Sequence, residues 1–231
     1  MDAFLMLLRW GHFLFGITWI GLLYYMNFVQ TPYFAEVEPP VRTVGQQKLL
    51  TRALWWFRWG AMGTVAFGLL YLLIRWAQLD WDISQPWAVA ILTGGFLGLI
   101  MWGNVWFCIW PNQKVVIANA VATAGGGQAN PAAAASGRRA SLASRTNVLF
   151  SIPMLFFMGA ASHYPEIATN FRPSGIAAWL IIDGLIITLI EVNALVGTQG
   201  TTKKPLDSIS GVIWAGLILW VILTAVIMIV L

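Results

Sequence analysis

Residues 101–116 read MWGNVWFCIWPNQKVV, and residues 144–165 read SRTNVLFSIPMLFFMGAASHYP. Each is an apolar run closed by a polar, proline-marked ending: Pro111-Asn112-Gln113 in the first, Ser162-His163-Tyr164-Pro165 in the second. Between them, residues 122–144 (ATAGGGQANPAAAASGRRASLAS) are small and polar, and the composition predicts a flexible linker. Apolar runs near twenty residues are the length of a membrane helix, not of a barrel strand.

The rest of the chain agrees. It is 59% hydrophobic and 10% charged, whereas an average soluble chain is roughly 25% charged. So little charge cannot cover a water-facing surface. The expected class is an all-α integral membrane protein. A single transmembrane domain over 1–231 is expected, with helices at about 3–29, 53–77, 87–110, 147–164, 175–197 and 208–231. The first of these lacks a basic n-region and a cleavage site, so it reads as a retained helix. A net charge of +4 needs no nucleic acid to explain it. The single cysteine, Cys108, excludes an internal disulfide and a Cys-x-x-Cys-His haem site in this sequence. Fourteen tryptophans suit interfacial anchoring and packing.

Charge asymmetry predicts orientation. Arg42, Lys48, Arg52, Lys114, Arg138, Arg139, Arg145, Lys203 and Lys204 lie on connections opposite the termini, against Arg9, Arg75 and Arg172 near the terminus side. The basic loops are therefore expected in the cytoplasm and both termini in the periplasm of a bacterial inner membrane. Asp80, Asp82 and Glu166 fall on the outer side. Lipids are expected partners, and Arg138-Arg139 could touch anionic headgroups. Small residues at packing spacing favour a compact bundle: Gly94 and Gly98, the Gly60-Thr64-Gly68 stripe, and Gly11, Gly16 and Gly21.

Ionisable groups inside hydrocarbon each need a reason. His12, His163 and Asp183 all fall in the outer half of the expected bundle. The histidines are the only two in the chain, and they could be axial ligands of a b-type haem. Equally, each could only hydrogen-bond a neighbouring helix. His12, Gly16 and Trp19 share a helical face, and a glycine one turn from a ligand would leave room for a porphyrin. Asp183 could orient a histidine, relay protons, or pair with Arg9 or Arg172. Pro153 could kink its helix, and Asn104 could pair with another.

Several short motifs resemble one family. His12-Phe-Leu-Phe-Gly-Ile-Thr-Trp-Ile-Gly21 is similar to the first helix of the membrane-bound urate hydroxylases, the urate oxidase N-terminal family. Trp56-Phe57-Arg58-Trp59 resembles its Trp-Phe-Lys-Trp. Asn104-Val105 with Pro111-Asn112-Gln113-Lys114 resembles its Asn-Val…Pro-Asn-Gln-Arg/Lys. Ser144-Arg145-Thr146-Asn147, Pro153 and His163-Tyr164-Pro165 follow its helix start, helical proline and Asn-His-Tyr-Pro ending. The resemblance runs from about residue 5 to 166.

The resemblance implies a bacterial membrane protein that oxidises urate to 5-hydroxyisourate and passes electrons to a cytochrome rather than directly to oxygen. It strengthens His12 as a haem ligand or site residue. No counterpart of the family's cytochrome domain follows helix 6, so a separate carrier such as a cytochrome c is expected. Three of the family's polar positions differ. Trp55 stands at its histidine, Gly60 at its glutamate, and Ile190-Glu191-Val192-Asn193 near its Arg-His pair. For urate itself, Arg9 and Asn104 are the expected in-membrane donors. Two functions from different classes follow. One is a haem b redox or electron-transfer protein acting on urate or another small reductant, with Asp183, Arg9 and Asn104 as candidate catalytic residues. The other is a non-catalytic structural or assembly subunit of a larger respiratory or photosynthetic complex.

Overall fold

The computed structural model describes residues 2–78, 85–164, 167 and 172–231. Asp80, Asp82, Pro165 and Glu166 lie outside the described residues. No strand occurs among the described residues. Six helices are long and apolar enough to cross a membrane. They are α1 (Ala3–Glu36), α2 (Pro39–Ala77), α3 (Trp87–Ala124), α4 (Ala133–His163), α5 (Pro173–Leu195) and α6 (Ile209–Val230). The last two, at 23 and 22 residues, match a bilayer crossing, while the first four run to between 31 and 39 residues. About twenty residues suffice to span hydrocarbon.

The long helices carry π-helical segments at Tyr25–Gln30, Gly45–Leu50 and Asn104–Ile109. Two of these have a local cause. Pro111 has no N–H to return to the preceding turn, and its ring crowds the carbonyl there. The wider turn just before it relieves the crowding, and α3 continues to Ala124. Asn112 Nδ2 then donates to the Cys108 carbonyl at 2.8 Å. In α1 the same sequence logic places Thr31-Pro32 after a π segment, and Thr31 Oγ1 donates to the Met26 carbonyl at 2.7 Å.

The expected linker over 122–144 is corrected by α4, which begins at Ala133. Ala140, Leu142 and Ala143 are fully buried. Small residues that suggested looseness allow close helix contact instead. Only the turn at 125–132 separates α3 from α4, and Asn119 Oδ1 accepts from the Asn130 N–H at 2.7 Å across it. Gly126 there adopts φ 77°, which a side chain would resist.

The chain divides into two compact units, Met1–Leu72 with Trp102–Arg145, and Leu73–Met101 with Thr146–Leu231. In the first, α1 and α2 meet along glycines. A methyl on Gly60 would stand 3.1 Å from the Trp19 backbone nitrogen, and one on Gly11 would strike the Phe67 ring. The Phe15 ring fills the notch at Gly63 and stacks on Phe67 at 5.5 Å. Such close backbone approach adds attraction between the two helices through dispersion. Asn27 Nδ2 donates to Ser144 Oγ at 2.8 Å, and Gln47 Nε2 to the Ala120 carbonyl at 2.7 Å.

In the second unit, Pro153 cannot bond the Leu149 carbonyl. Gly216 of α6 packs at that carbonyl, where a methyl would stand 2.8 Å away. Gly94 packs against Met154 and Met158 of α4, whereas nothing lies within 4 Å of a side chain added at Gly98. Asn147 Nδ2 donates to the Met101 carbonyl at 2.9 Å. Lys203 is buried and donates to the carbonyls of Asn193 and Val196, which closes the end of α5. Ser208 caps α6 by accepting from the Gly211 N–H at 3.0 Å.

Candidate functional site

His12 sits on the seam between α1 and α2. Its Nδ1 is 2.8 Å from the Thr64 carbonyl oxygen. A carbonyl only accepts, so Nδ1 carries a proton, and in the neutral ring Nε2 keeps a lone pair. The approach depends on Gly68, one turn after Thr64: a methyl there would stand 2.6 Å from His12 Nδ1. Thr64 turns its own hydroxyl back to the Gly60 carbonyl at 2.7 Å. The stripe Gly60-Thr64-Gly68 therefore does three things for α1: it admits the backbone at Trp19, supplies the carbonyl, and leaves space for the imidazole.

The room expected beside Gly16 for a porphyrin is filled by α2, since a methyl on Gly16 would lie 3.8 Å from Thr64 Cγ2. Trp19 is 2% exposed, with Gly60 against its backbone. Gly16 and Trp19 are thus helix-packing residues. His12 alone of that face suits an axial ligand, in the arrangement common to metal-bound histidines: one ring nitrogen held by a carbonyl, the other free to ligate. Arg9 lies with its guanidinium carbon 5.4 Å from the Tyr71 ring centroid. Asn104 is buried as the first residue of its π segment.

His163 and Asp183 belong to the second unit. His163 is exposed as the last residue of α4. Asp183 is buried, and its partner is Trp179 one turn earlier on α5 rather than an arginine: Trp179 Nε1 donates to Asp183 Oδ2 at 2.8 Å. A cavity of about 140 Å³ opens beside it, lined by Leu92, Thr93, Phe96, Trp179, Asp183 and Gly184 among others. No group of three or more His, Cys, Asp or Glu poised for a metal ion occurs among the described residues.

One charged site in the first unit was not read from the sequence. Arg58, in the middle of α2, places its guanidinium carbon 3.5 Å from the Trp110 ring centroid and 5.6 Å from that of Trp106. Lys114 Nζ also approaches Trp110, at 5.6 Å. Aromatic faces compensate the charge where few other partners exist. The signal was an arginine flanked by tryptophans inside an apolar run.

The profile of the family described as urate oxidase N-terminal matches residues 65–229, well over half of the chain. The chain belongs to the urate oxidase N-terminal family. No curated protein and no solved structure matches it. The urate oxidase N-terminal match contains Asn104, Pro153, His163 and Asp183 and runs on through α5 and α6, beyond the resemblance that ended near residue 166. His12, Trp55, Arg58 and Gly60 precede it.

Proposed function

We propose that this urate oxidase N-terminal protein is a membrane-embedded redox protein that binds haem b through His12 Nε2. The observation that carries this reading is the hydrogen bond from His12 Nδ1 to the Thr64 carbonyl, at 2.8 Å. It fixes the ring and leaves the ligating nitrogen available. A bound haem b would supply one-electron chemistry. The reductant is urate or another small molecule, and the acceptor a separate carrier such as a cytochrome c. Arg9 and Asn104 are the proposed polar contacts for such a reductant.

The setting is a six-helix transmembrane bundle in a bacterial inner membrane, with the basic connections in the cytoplasm and both termini in the periplasm. The large apolar side chains turned outward support it: Ile229 is 81% exposed and Ile17 73%. Such a surface suits hydrocarbon rather than water. The test is a difference spectrum of the purified protein and of its His12→Ala variant. A b-type haem absent from the variant is expected; haem retained in the variant contradicts the ligand assignment.

A second reading, a non-catalytic subunit of a larger respiratory or photosynthetic complex, is favoured by Gly60. The resemblance implies a glutamate at this position, and here the Trp19 backbone stands 3.1 Å from where even a methyl would lie. An acid at this place is replaced by helix contact. Native gels in mild detergent test it: a large assembly supports the subunit reading, and migration as a small particle contradicts it.

A further inference from the structure

The pocket beside Asp183 is not used by the haem reading. Asp183 is 4% exposed, and its Oδ1 has no hydrogen-bond partner among the described residues, while Oδ2 is held by Trp179. A buried carboxyl oxygen without a partner is costly, and a ligand at the site would remove that cost. Asp183 lines a cavity of about 140 Å³ whose remaining walls are largely aliphatic and aromatic. An apolar cavity of roughly 150 Å³ holds one benzene ring. Thr93 Oγ1 gives its hydrogen to the Val89 carbonyl at 3.0 Å, so Asp183 offers the adaptable polar contact. The half-exposed side chains Phe96 and Leu180 stand on the walls and make the pocket accessible to an apolar medium.

We propose that this pocket binds the head of a lipophilic single-ring quinol and its quinone, with Asp183 Oδ1 as the hydrogen-bond partner of the ring oxygen. A carboxyl group suits both forms. Ionised, Oδ1 accepts from the quinol hydroxyl; protonated, it donates to the quinone carbonyl. A lipid acyl chain would fill the space and leave Oδ1 unpaired. The ligand's lipid solubility rests on the membrane setting proposed above; the ring-sized pocket and its acid do not.

The experiment is calorimetric titration of the detergent-solubilised protein with duroquinol under anaerobic conditions, and separately with duroquinone. Two variants accompany it. Gly184 lines the pocket, and nothing stands within 4 Å of a side chain added there, so Gly184→Leu fills the space without touching Asp183. Asp183→Asn retains an acceptor for Trp179 and turns an amide donor toward the pocket. The wild type is expected to bind both compounds, and Gly184→Leu to weaken both at least about tenfold. Asp183→Asn is expected to lower the quinol-to-quinone affinity ratio about tenfold, the loss of one good hydrogen bond. Absence of binding by the wild type, wild-type affinity in Gly184→Leu, or an unchanged ratio in Asp183→Asn overturns the proposal. Should Asp183→Asn fail to fold, Gly184→Leu alone decides.

Discussion

His12 Nδ1 lies 2.8 Å from the backbone carbonyl oxygen of Thr64, and Gly68 is what lets it reach there. The ring is positioned by an atom that no side-chain substitution at residue 64 removes. Its position depends instead on the absence of a side chain at residue 68.

Gly68→Ala should therefore displace the imidazole, because the new methyl would start 2.6 Å from Nδ1. Overpacking of this kind destabilises by about 1–3 kcal/mol, partly offset by alanine's better helix propensity. Thermal unfolding in detergent should show a lower midpoint, and the haem-to-protein ratio should fall with it. An unchanged midpoint and ratio would mean that the seam yields without moving His12.

Gly60→Ala tests the closest backbone approach of α1 to α2. The methyl would meet Trp19 backbone atoms at 3.1 and 3.3 Å, and backbone cannot rotate away as a side chain can. A loss of about 1–3 kcal/mol is expected. Gly60→Glu, the larger side chain, should be worse than Gly60→Ala. A Gly60→Glu protein with the wild-type melting midpoint would show that the seam opens readily and that an acid can be accommodated.

Arg58→Gln removes the guanidinium held over Trp110 at 3.5 Å. A desolvated cation–π contact contributes about 2 kcal/mol, and this one is partly exposed, so a loss of about 1 kcal/mol is expected. Arg58→Lys should recover part of it, since the charge returns without the flat stacking surface. Equal stability of all three proteins would show that Trp110 does not compensate the charge.

Lys203→Met keeps the length of a buried side chain and removes the donor to the carbonyls of Asn193 and Val196. Those carbonyls would lose their charged partner at the end of α5, at a cost of about 2 kcal/mol. Hydrogen exchange should speed up across the last turn of α5 and the 3₁₀ segment Thr201–Asp207. Unaltered exchange there would contradict the capping role.

Much of this was legible in the residues. The Gly60-Thr64-Gly68 stripe announced a tight helix contact, and all three face α1. His12 and Asp183 stood out because ionisable groups in apolar runs need partners. Their partners were harder to see. Trp179 is four residues before Asp183, one helical turn, a spacing the sequence displays once it is looked for. The Thr64 carbonyl has no sequence signature at all. Residues 133–144 misled because alanine and serine signal mobility by composition and close packing by size, and only the neighbouring helices decide between them. The π segments ahead of Pro32 and Pro111 depend on turn geometry that a count of apolar residues does not register.

The most direct test of the central claim is the reduced-minus-oxidised visible spectrum of the protein purified in mild detergent, with extracted haem quantified in parallel for wild type and His12→Ala. The account predicts near-stoichiometric b-type haem in the wild type and its loss in the variant. A colourless wild type, or a variant that keeps its haem, would contradict it and leave His12 as a residue that only joins α1 to α2.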